Sequence, residues 1–295
     1  MLQFIRASIV AAVTFSLGGC VIYSGHTATK AVNQTAEHVA GSALYVDTQN
    51  GSIEIVADST VSEVKIDAKI HCGGGTQAEA DQKLAEAGLS VTREASQVLT
   101  IKPVLPADDR GRHGASFVIH IPDATGVTAT TSNGKITVTG LGGELIAHTS
   151  NGSVSVTSHN GPVNIDTSNG SVRAQQVAGN LVVDTSNGSV DVSQIKGTVQ
   201  IDTSNGSIAM KLDPAQTGPI HLDTSNGSIS ATVGSAFNGV VRLDTSNGGI
   251  TVRDNKGVIK SQTIDKSEGM LTLGSGGEMS IIDTSNGRIE FVVAD

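Results

Sequence analysis

Leu181-Val182-Val183-Asp184-Thr185-Ser186-Asn187-Gly188-Ser189-Val190-Asp191-Val192 reads as two short strands joined at a Thr-Ser-Asn-Gly corner. On both sides of the corner apolar residues alternate with polar ones, the period of a half-buried strand. The corner glycine recurs at Gly134, Gly152, Gly170, Gly188, Gly206, Gly227, Gly248, Gly269 and Gly287, with spacings of 18, 18, 18, 18, 21, 21, 21 and 18 residues. A fixed period of this length is the signature of a stacked repeat. Asn precedes eight of these glycines, at Asn133, Asn151, Asn169, Asn187, Asn205, Asn226, Asn247 and Asn286.

Alignment on the glycine exposes columns. The second residue after it is apolar throughout, from Ile136 through Val190 to Ile289, and the fourth runs from Val138 to Phe291. Five residues before it stands a third column, from Ala129 through Val183 and Ile264 to Ile282. Each coil thus supplies two strands with inward faces. A second corner lies nine residues on in the regular coils, at Gly143, Gly161, Gly179, Gly197 and Gly257, and moves to Gly218 and Gly239 in two longer ones. Insertions placed there can bulge outward without disturbing the inward columns.

An antiparallel meander would also use Asn-Gly, the preferred pair of a tight hairpin. Near-identity of successive corners favours a parallel solenoid instead, because in-register stacking at about 4.8 Å brings each Asn onto the next as a hydrogen-bonded ladder. The expected fold is an all-β, right-handed parallel β-helix of 18–21 residues per coil over residues 126–295.

Composition agrees. Aromatics are 2% and Trp is absent, so the core must be thin and built from small and β-branched residues. Net charge is −9 and no Lys/Arg cluster tracks a phosphate backbone, which argues against a nucleic-acid partner.

The N terminus carries an address. Arg6 precedes an apolar run from Ala7 to Phe15 that is too short to span a bilayer but suits a signal peptide. Leu17-Gly18-Gly19-Cys20 resembles the bacterial lipobox, which implies a signal peptide over 1–19, lipidation of Cys20 and membrane attachment through the lipid. Val21 stands where an inner-membrane retention signal would show Asp, so the outer membrane is expected. Residues 20–42 read as a flexible tether. Cys72 is then left without a disulfide partner and is expected to be a small buried residue.

Leu44-Tyr45-Val46-Asp47-Thr48-Gln49-Asn50-Gly51-Ser52-Ile53-Glu54-Ile55 reproduces the repeat 83 residues before its next copy, as a first coil with a large insertion would. Within residues 43–125 the pattern predicts strands over 64–70, 98–104 and 117–121. A helix opened by a Thr76/Glu79 capping box should run through Ala87 and end at Gly88. This strand-helix-strand element is expected to cap the solenoid's open end.

The repeated Asp-Thr-Ser-Asn-Gly-Ser-Ile/Val, preceded by a region ending His120-Ile121-Pro122, resembles the bacterial DUF4097 family. That family is labelled for adhesion and is related to GIN-type autotransporter head domains. The resemblance implies a right-handed parallel β-helix at the cell envelope and supplies neither catalytic residues nor a ligand.

Chemistry could reside in a carboxylate column: Asp166, Asp184, Asp202, Asp223, Asp244, Asp265 and Asp283. Each Asp can accept hydrogen bonds from its own corner as an Asx-turn. Alternatively the column could hold calcium, although the Gly-Gly-x-Gly-x-Asp pattern of calcium-binding β-rolls is missing. A Thr column, Thr131, Thr149, Thr167, Thr185, Thr203, Thr224, Thr245 and Thr284, either supports the corners or presents hydroxyls to solvent as in ice-binding solenoids. No Gly-x-Ser-x-Gly elbow and no His/Cys metal spacing occurs, so no catalytic residue is assigned. The sequence therefore points to a non-enzymatic envelope lipoprotein displaying a solenoid as an adhesin or binding module. A periplasmic spacer is the alternative, with a calcium-stabilised solenoid and a glycan-active enzyme further behind. The final coil, 287–295, shows no cap, which suggests end-to-end self-association.

Overall fold

The computed structural model describes residues 25–93, 97–107 and 112–294. They form two compact units, one running to Thr137 and one from Val138. The expected signal peptide and Cys20 lie outside the described residues.

The first unit contains β1 (His26–Glu37), β2 (Ala43–Asn50), β3 (Ile53–Ala57), β4 (Glu63–Gly74), α1 (Gln77–Glu86), β5 (Gly88–Arg93), β6 (Leu99–Val104), β7 (His113–Ile121) and β8 (Gly126–Asn133). The unit boundary falls within β9 (Ile136–Thr139). One sheet runs β1-β4-β7-β3 and another β8-β2-β6-β5. The coil expected from Leu44 to Ile55 is present as β2 and β3, and Asn133 Nδ2 donates to Asn50 Oδ1 at 2.7 Å.

That coil is first in sequence but not first in space. The insertion doubles back and lays β6 parallel on β2, Leu44 opposite Leu99, and β7 parallel on β3, Ile53 opposite Phe117. A coil without the Asn-Gly signature therefore stacks outside the one that carries it.

Residues 26–37, expected as part of a flexible tether, form an edge strand instead. β1 pairs antiparallel with β4 along its whole length, His26 opposite Gly74 and Glu37 opposite Glu63. The segment hides this because it buries only Ala28 and Ala36. Its order is imposed by β4, whose Val64, Ile66, Ala68, Ile70 and Cys72 are all buried. The helix matches its expected start: Thr76 Oγ1 accepts from Glu79 N at 3.2 Å, and Glu79 Oε2 accepts from Gly75 N at 2.8 Å. It ends at Glu86 with an extended Ala87, so Gly88 opens β5 rather than terminating the helix in a left-handed conformation.

The second unit holds the regular coils. These are β10 (Glu144–Thr149) with β11 (Val154–His159), β12 (Val163–Thr167) with β13 (Val172–Val177), and β14 (Leu181–Thr185) with β15 (Val190–Ile195). Next come β16 (Val199–Thr203) with β17 (Ile208–Leu212), β18 (Ile220–Thr224) with β19 (Ile229–Val233), and β20 (Gly239–Thr245) with β21 (Ile250–Asp254). A hairpin, β22 (Ile259–Ile264) and β23 (Glu268–Leu273), precedes β24 (Met279–Thr284) and β25 (Ile289–Val293). The front sheet runs β10-β12-β14-β16-β18-β24-β20-β23-β22, and the back sheet β11-β13-β15-β17-β19-β25-β21.

The coil pairings are parallel and in register, Asp166 on Asp184 on Asp202 on Asp223, which excludes the meander. From β10 to β19 the inward columns are buried as expected, Val183 and Val190 at 1% exposure each, whereas Ile250 and Val252 of β21 are half-buried and Ile264 of β22 is exposed, so the columns do not extend to the far end. A left-handed residue, Ser158, Gln176 or Gln194, interrupts the alternation late in three back-sheet strands and turns His159, Val177 or Ile195 inward.

Two expectations fail at the far end. The last coil is not the end coil: β24 and β25 lie between β18/β19 and β20/β21, with Asp283 paired to both Asp223 and Asp244. Gly269 is not a corner either. It lies within β23, antiparallel to β20 and opposite Leu243. Leu271 and Leu273 matched the repeat because any amphipathic strand alternates with period two. The insertion after β19 also does more than bulge outward, because it buries Phe237 edge-to-face on Phe291 at 6.4 Å between centroids.

The corners explain the near-identity of their residues. Asn Nδ2 donates to the Asn Oδ1 of the neighbouring coil from Asn169 to Asn151, Asn187 to Asn169, Asn205 to Asn187 and Asn226 to Asn205, each at 2.9 Å. The ladder then passes through Asn286 to Asn247, following space rather than sequence. The Thr column faces inward. Thr185 Oγ1 donates to Gly170 O at 3.3 Å and Thr203 Oγ1 to Gly188 O at 3.2 Å, so these hydroxyls form no solvent array.

Candidate functional site

The carboxylate column lies on the outer face of the front sheet, in the spatial order Asp166, Asp184, Asp202, Asp223, Asp283, Asp244. Asp265 does not belong to it. It sits at the hairpin turn, where its N–H donates to Glu268 O at 2.8 Å. The structure does not form the expected Asx-turns, because the corner N–H groups are taken by the neighbouring coil: Ser186 N donates to Thr167 O and Asn187 N to Ser168 O. The carboxylates project outward instead.

Neighbours at about 4.8 Å repel by about 0.9 kcal/mol per pair in water before screening. Partial burial, then Asp202 and Asp166, raise the Asp184 carboxyl above its ordinary value. Burial, then Asp202 and Asp283, do the same to Asp223, with His221 opposing. Burial and Asp244 raise Asp283 against Arg242 and His221. A nitrogen-bearing side chain meets the row at each end: His148 Nδ1 lies 3.3 Å from Asp166 Oδ2, and Arg242 donates to Asp244 at 3.1 Å. These pairings escaped the sequence reading because His148 and Arg242 differ from their column neighbours only as single residues.

The acid limb of stability carries two opposite contributions. Burial depresses the pKa of His159 below 6.5, its Nε2 lying 2.9 Å from Gly143 O. Its contribution is complete above pH 6.5 and is lost as pH falls through the depressed value. For Asp184, Asp223 and Asp283 the folded chain binds protons more readily than the unfolded one, so stability is gained as pH falls through their raised values towards 3.8. Asp184→Asn is expected to stabilise the protein by about 0.5–1 kcal/mol at neutral pH and low salt. The gain should shrink in salt and vanish below pH 3.8. Melting curves across pH and salt check it; a destabilised variant at neutral pH would show that the carboxylate makes a favourable contact.

Each unit also carries a cleft. One of about 310 Å³ lies in the first unit where β6 peels away from β2 at Pro103, lined by Asp47, Gln49, Lys102, Leu105, Pro106 and Thr130 among others. Lys102 Nζ stands 3.6 Å from Asp47 Oδ2 and 4.8 Å from the Tyr45 ring centroid. The other, of about 280 Å³, lies beside the hairpin in the second unit, among Arg242, Asp244, Thr263, Asp265, Glu268 and Met270. Among the described residues no three His, Cys, Asp or Glu side chains are grouped to hold a metal ion. His113 is buried behind β4, where its Nδ1 accepts from Gly73 N at 3.2 Å. Neither cleft holds a nucleophile and base in hydrogen-bond contact, the geometry covalent catalysis requires.

No curated protein matches the chain. Several solved structures do. A candidate adhesin from Parabacteroides distasonis is 12% identical, with 90% of this chain and 97% of that one covered and a TM-score of 0.46. A candidate adhesin from Bacteroides fragilis is 13% identical, with 89% and 97% covered and a TM-score of 0.37. A candidate cell adhesion protein from Clostridium sporogenes is 10% identical, with 90% and 100% covered and a TM-score of 0.24. The family model described as Toastrack DUF4097 matches residues 110–291, from the last strand of the insertion through the intercalated final coil. That match takes in more than half of the chain, and the chain belongs to the DUF4097, or Toastrack, family.

Proposed function

We propose that this chain is a non-enzymatic lipoprotein of the bacterial cell envelope, anchored through Cys20 and displaying its β-solenoid as an adhesin or binding module. The observation that carries the reading is the regular stack of parallel coils, taken together with the lipobox in the sequence. From β10 to β18 the front-sheet strands keep one register, their corner groups bond to each other, and what remains outward is a row of side chains. Such a surface suits display and recognition better than catalysis, which needs convergent groups. Val21 after the Cys supports the outer membrane as the destination. The same regularity suits a periplasmic spacer, and exposure separates the two.

Cys20→Ala should release the protein from the membrane fraction, and unchanged fractionation would overturn the anchor. Added protease should cleave the protein on intact cells if it is an external adhesin. Complete protection would instead leave the spacer.

A further inference from the structure

The distance at which a lipid anchor lets a protein stand from its membrane is set by the chain between the lipidated residue and the first residue that the fold holds. Read as a tether over 20–42, the N-terminal segment would reach about 77 Å when fully extended, at about 3.5 Å per residue. The fold takes most of that length back. β1 starts at His26 and runs for 12 residues against β4, so the leash from Cys20 ends at Gly25. Whatever conformation it adopts, a leash from Cys20 to Gly25 reaches at most about 18 Å.

β1 is tied at its start, along its length and at its end, so it does not lengthen the leash by peeling away. Gly25 lies so close to the Arg112 guanidinium that a Cβ would collide with it, and Arg112 Nη2 donates to Gly74 O at 3.0 Å. Lys30 Nζ donates to Ala87 O just beyond the end of α1. Ala28 and Ala36 are buried on the inward side, and Arg93 Nη2 donates to Glu37 O at 2.8 Å. β1 is also the outermost strand in the order β1-β4-β7-β3, so the chain leaves the stack at its end level rather than from the middle of a face.

We infer that the first unit rests against the bilayer that holds the Cys20 lipid, with the corner where His26 pairs with Gly74 turned towards the headgroups. Gly75, Thr76, Gln77 and Ala78 lead into α1 at that corner and are exposed, so this is the surface that meets the lipid. The opposite corner, where Glu37 pairs with Glu63, lies about 37 Å along the strand and stands away from the membrane. The leash is about half that length, which keeps the bilayer beside the first corner. The inference rests on the reading of Cys20 as the anchor, and not on what the solenoid binds.

The test uses the lipidated full chain in vesicles of phosphatidylethanolamine and phosphatidylglycerol that carry a fluorescent acceptor on their headgroups. Donor dyes are attached to Gln77→Cys or Glu63→Cys, both exposed positions, while the fully buried Cys72 escapes the label. Energy transfer from position 77 should exceed that from position 63 by about twofold or more, given the strand length between the two corners. Insertion of about 20 Gly/Ser residues between Ser24 and Gly25 adds a coil of about 25 Å, and should lower transfer from position 77 by about twofold or more. The β1 amides bonded to β4 should stay protected from hydrogen exchange in the vesicle-bound protein. Equal transfer from the two positions, transfer unmoved by the insertion, or unprotected β1 amides would overturn the inference. The failure of the anchor looks different: a chain that does not stay with the vesicles, or that stays equally well as Cys20→Ala, refutes the lipidation and the inference with it, whereas a chain held through Cys20 with equal transfer refutes the inference alone.

Discussion

Phe291→Ala is expected to destabilise the protein by about 3–5 kcal/mol, the cost of removing a fully enclosed aromatic ring. That is a large share of the roughly 5–15 kcal/mol that holds a typical domain together. Phe291 is the fifth-last residue, in the last coil of the sequence. Were that coil also the last in space, one flank of the ring would face solvent and the cost would be small. It is enclosed because β25 runs between β19 and β21, and because Phe237 from the preceding insertion packs edge-on against it. Val252→Ala makes the control. Val252 sits opposite Phe291 in the ladder but is half-buried on the edge strand, so its truncation should cost no more than about 1 kcal/mol. Hydrogen exchange suits a repeat protein better than one global melting curve, since cooperativity along a stack can break down. The Phe291 variant should lose protection in β19, β21 and β25 together. Loss confined to the last five residues would contradict the intercalated order.

Gly188→Ala should be at least as damaging. A Cβ at this position would lie 2.0 Å from Gly170 O, a backbone atom that cannot turn aside. Relief requires neighbouring coils to separate by an ångström or more at the corner. That would stretch the Asn187–Asn169 bond and the Asn187 N to Ser168 O bond beyond useful length. Loss of these corner hydrogen bonds together with separation of the packed layer beneath them places the change among the rare substitutions worth more than about 4 kcal/mol. Gly257→Ala offers a contrast. Nothing lies within 4 Å of a Cβ there, and the cost should reflect only the strain of φ +68°. Expression yield and thermal melting of the two variants check the ranking; a well-folded Gly188→Ala protein would mean that the coils are not in this contact.

The second prediction turns on the corner, and the corner was readable because stacking repeats one set of constraints at every level. Asn meets Asn, a Thr hydroxyl finds the carbonyl of the next coil, and Gly leaves room for that carbonyl, so a single geometry is written eight times. The inward columns were readable for the same reason. The capping box of α1 was readable because Thr76 and Glu79 act within one turn. What escaped were features settled by partners distant in sequence. β1 looks like a tether until β4 pairs with it, and Gly269 fits the repeat spacing while lying in an antiparallel strand. The outward Asp row was visible as a column, but its loss of Asp265 and its flanking His148 and Arg242 were not.

The sequence by itself determined the coil: its two arcs, its buried columns, its ladder of corners and the family to which it belongs. Only the tertiary structure decided the order of the coils at the two ends, where β6/β7 lies outside β2/β3 within the first unit and β24/β25 lies inside β20/β21 within the second. The reason is physical. Identical corners stack equally well on one another, so the repeat specifies that coils stack but not which coil is whose neighbour. That choice falls to the irregular pieces, the hairpin on β20, the Phe237 insertion and the β4–β7 pairing, whose contacts no local pattern encodes.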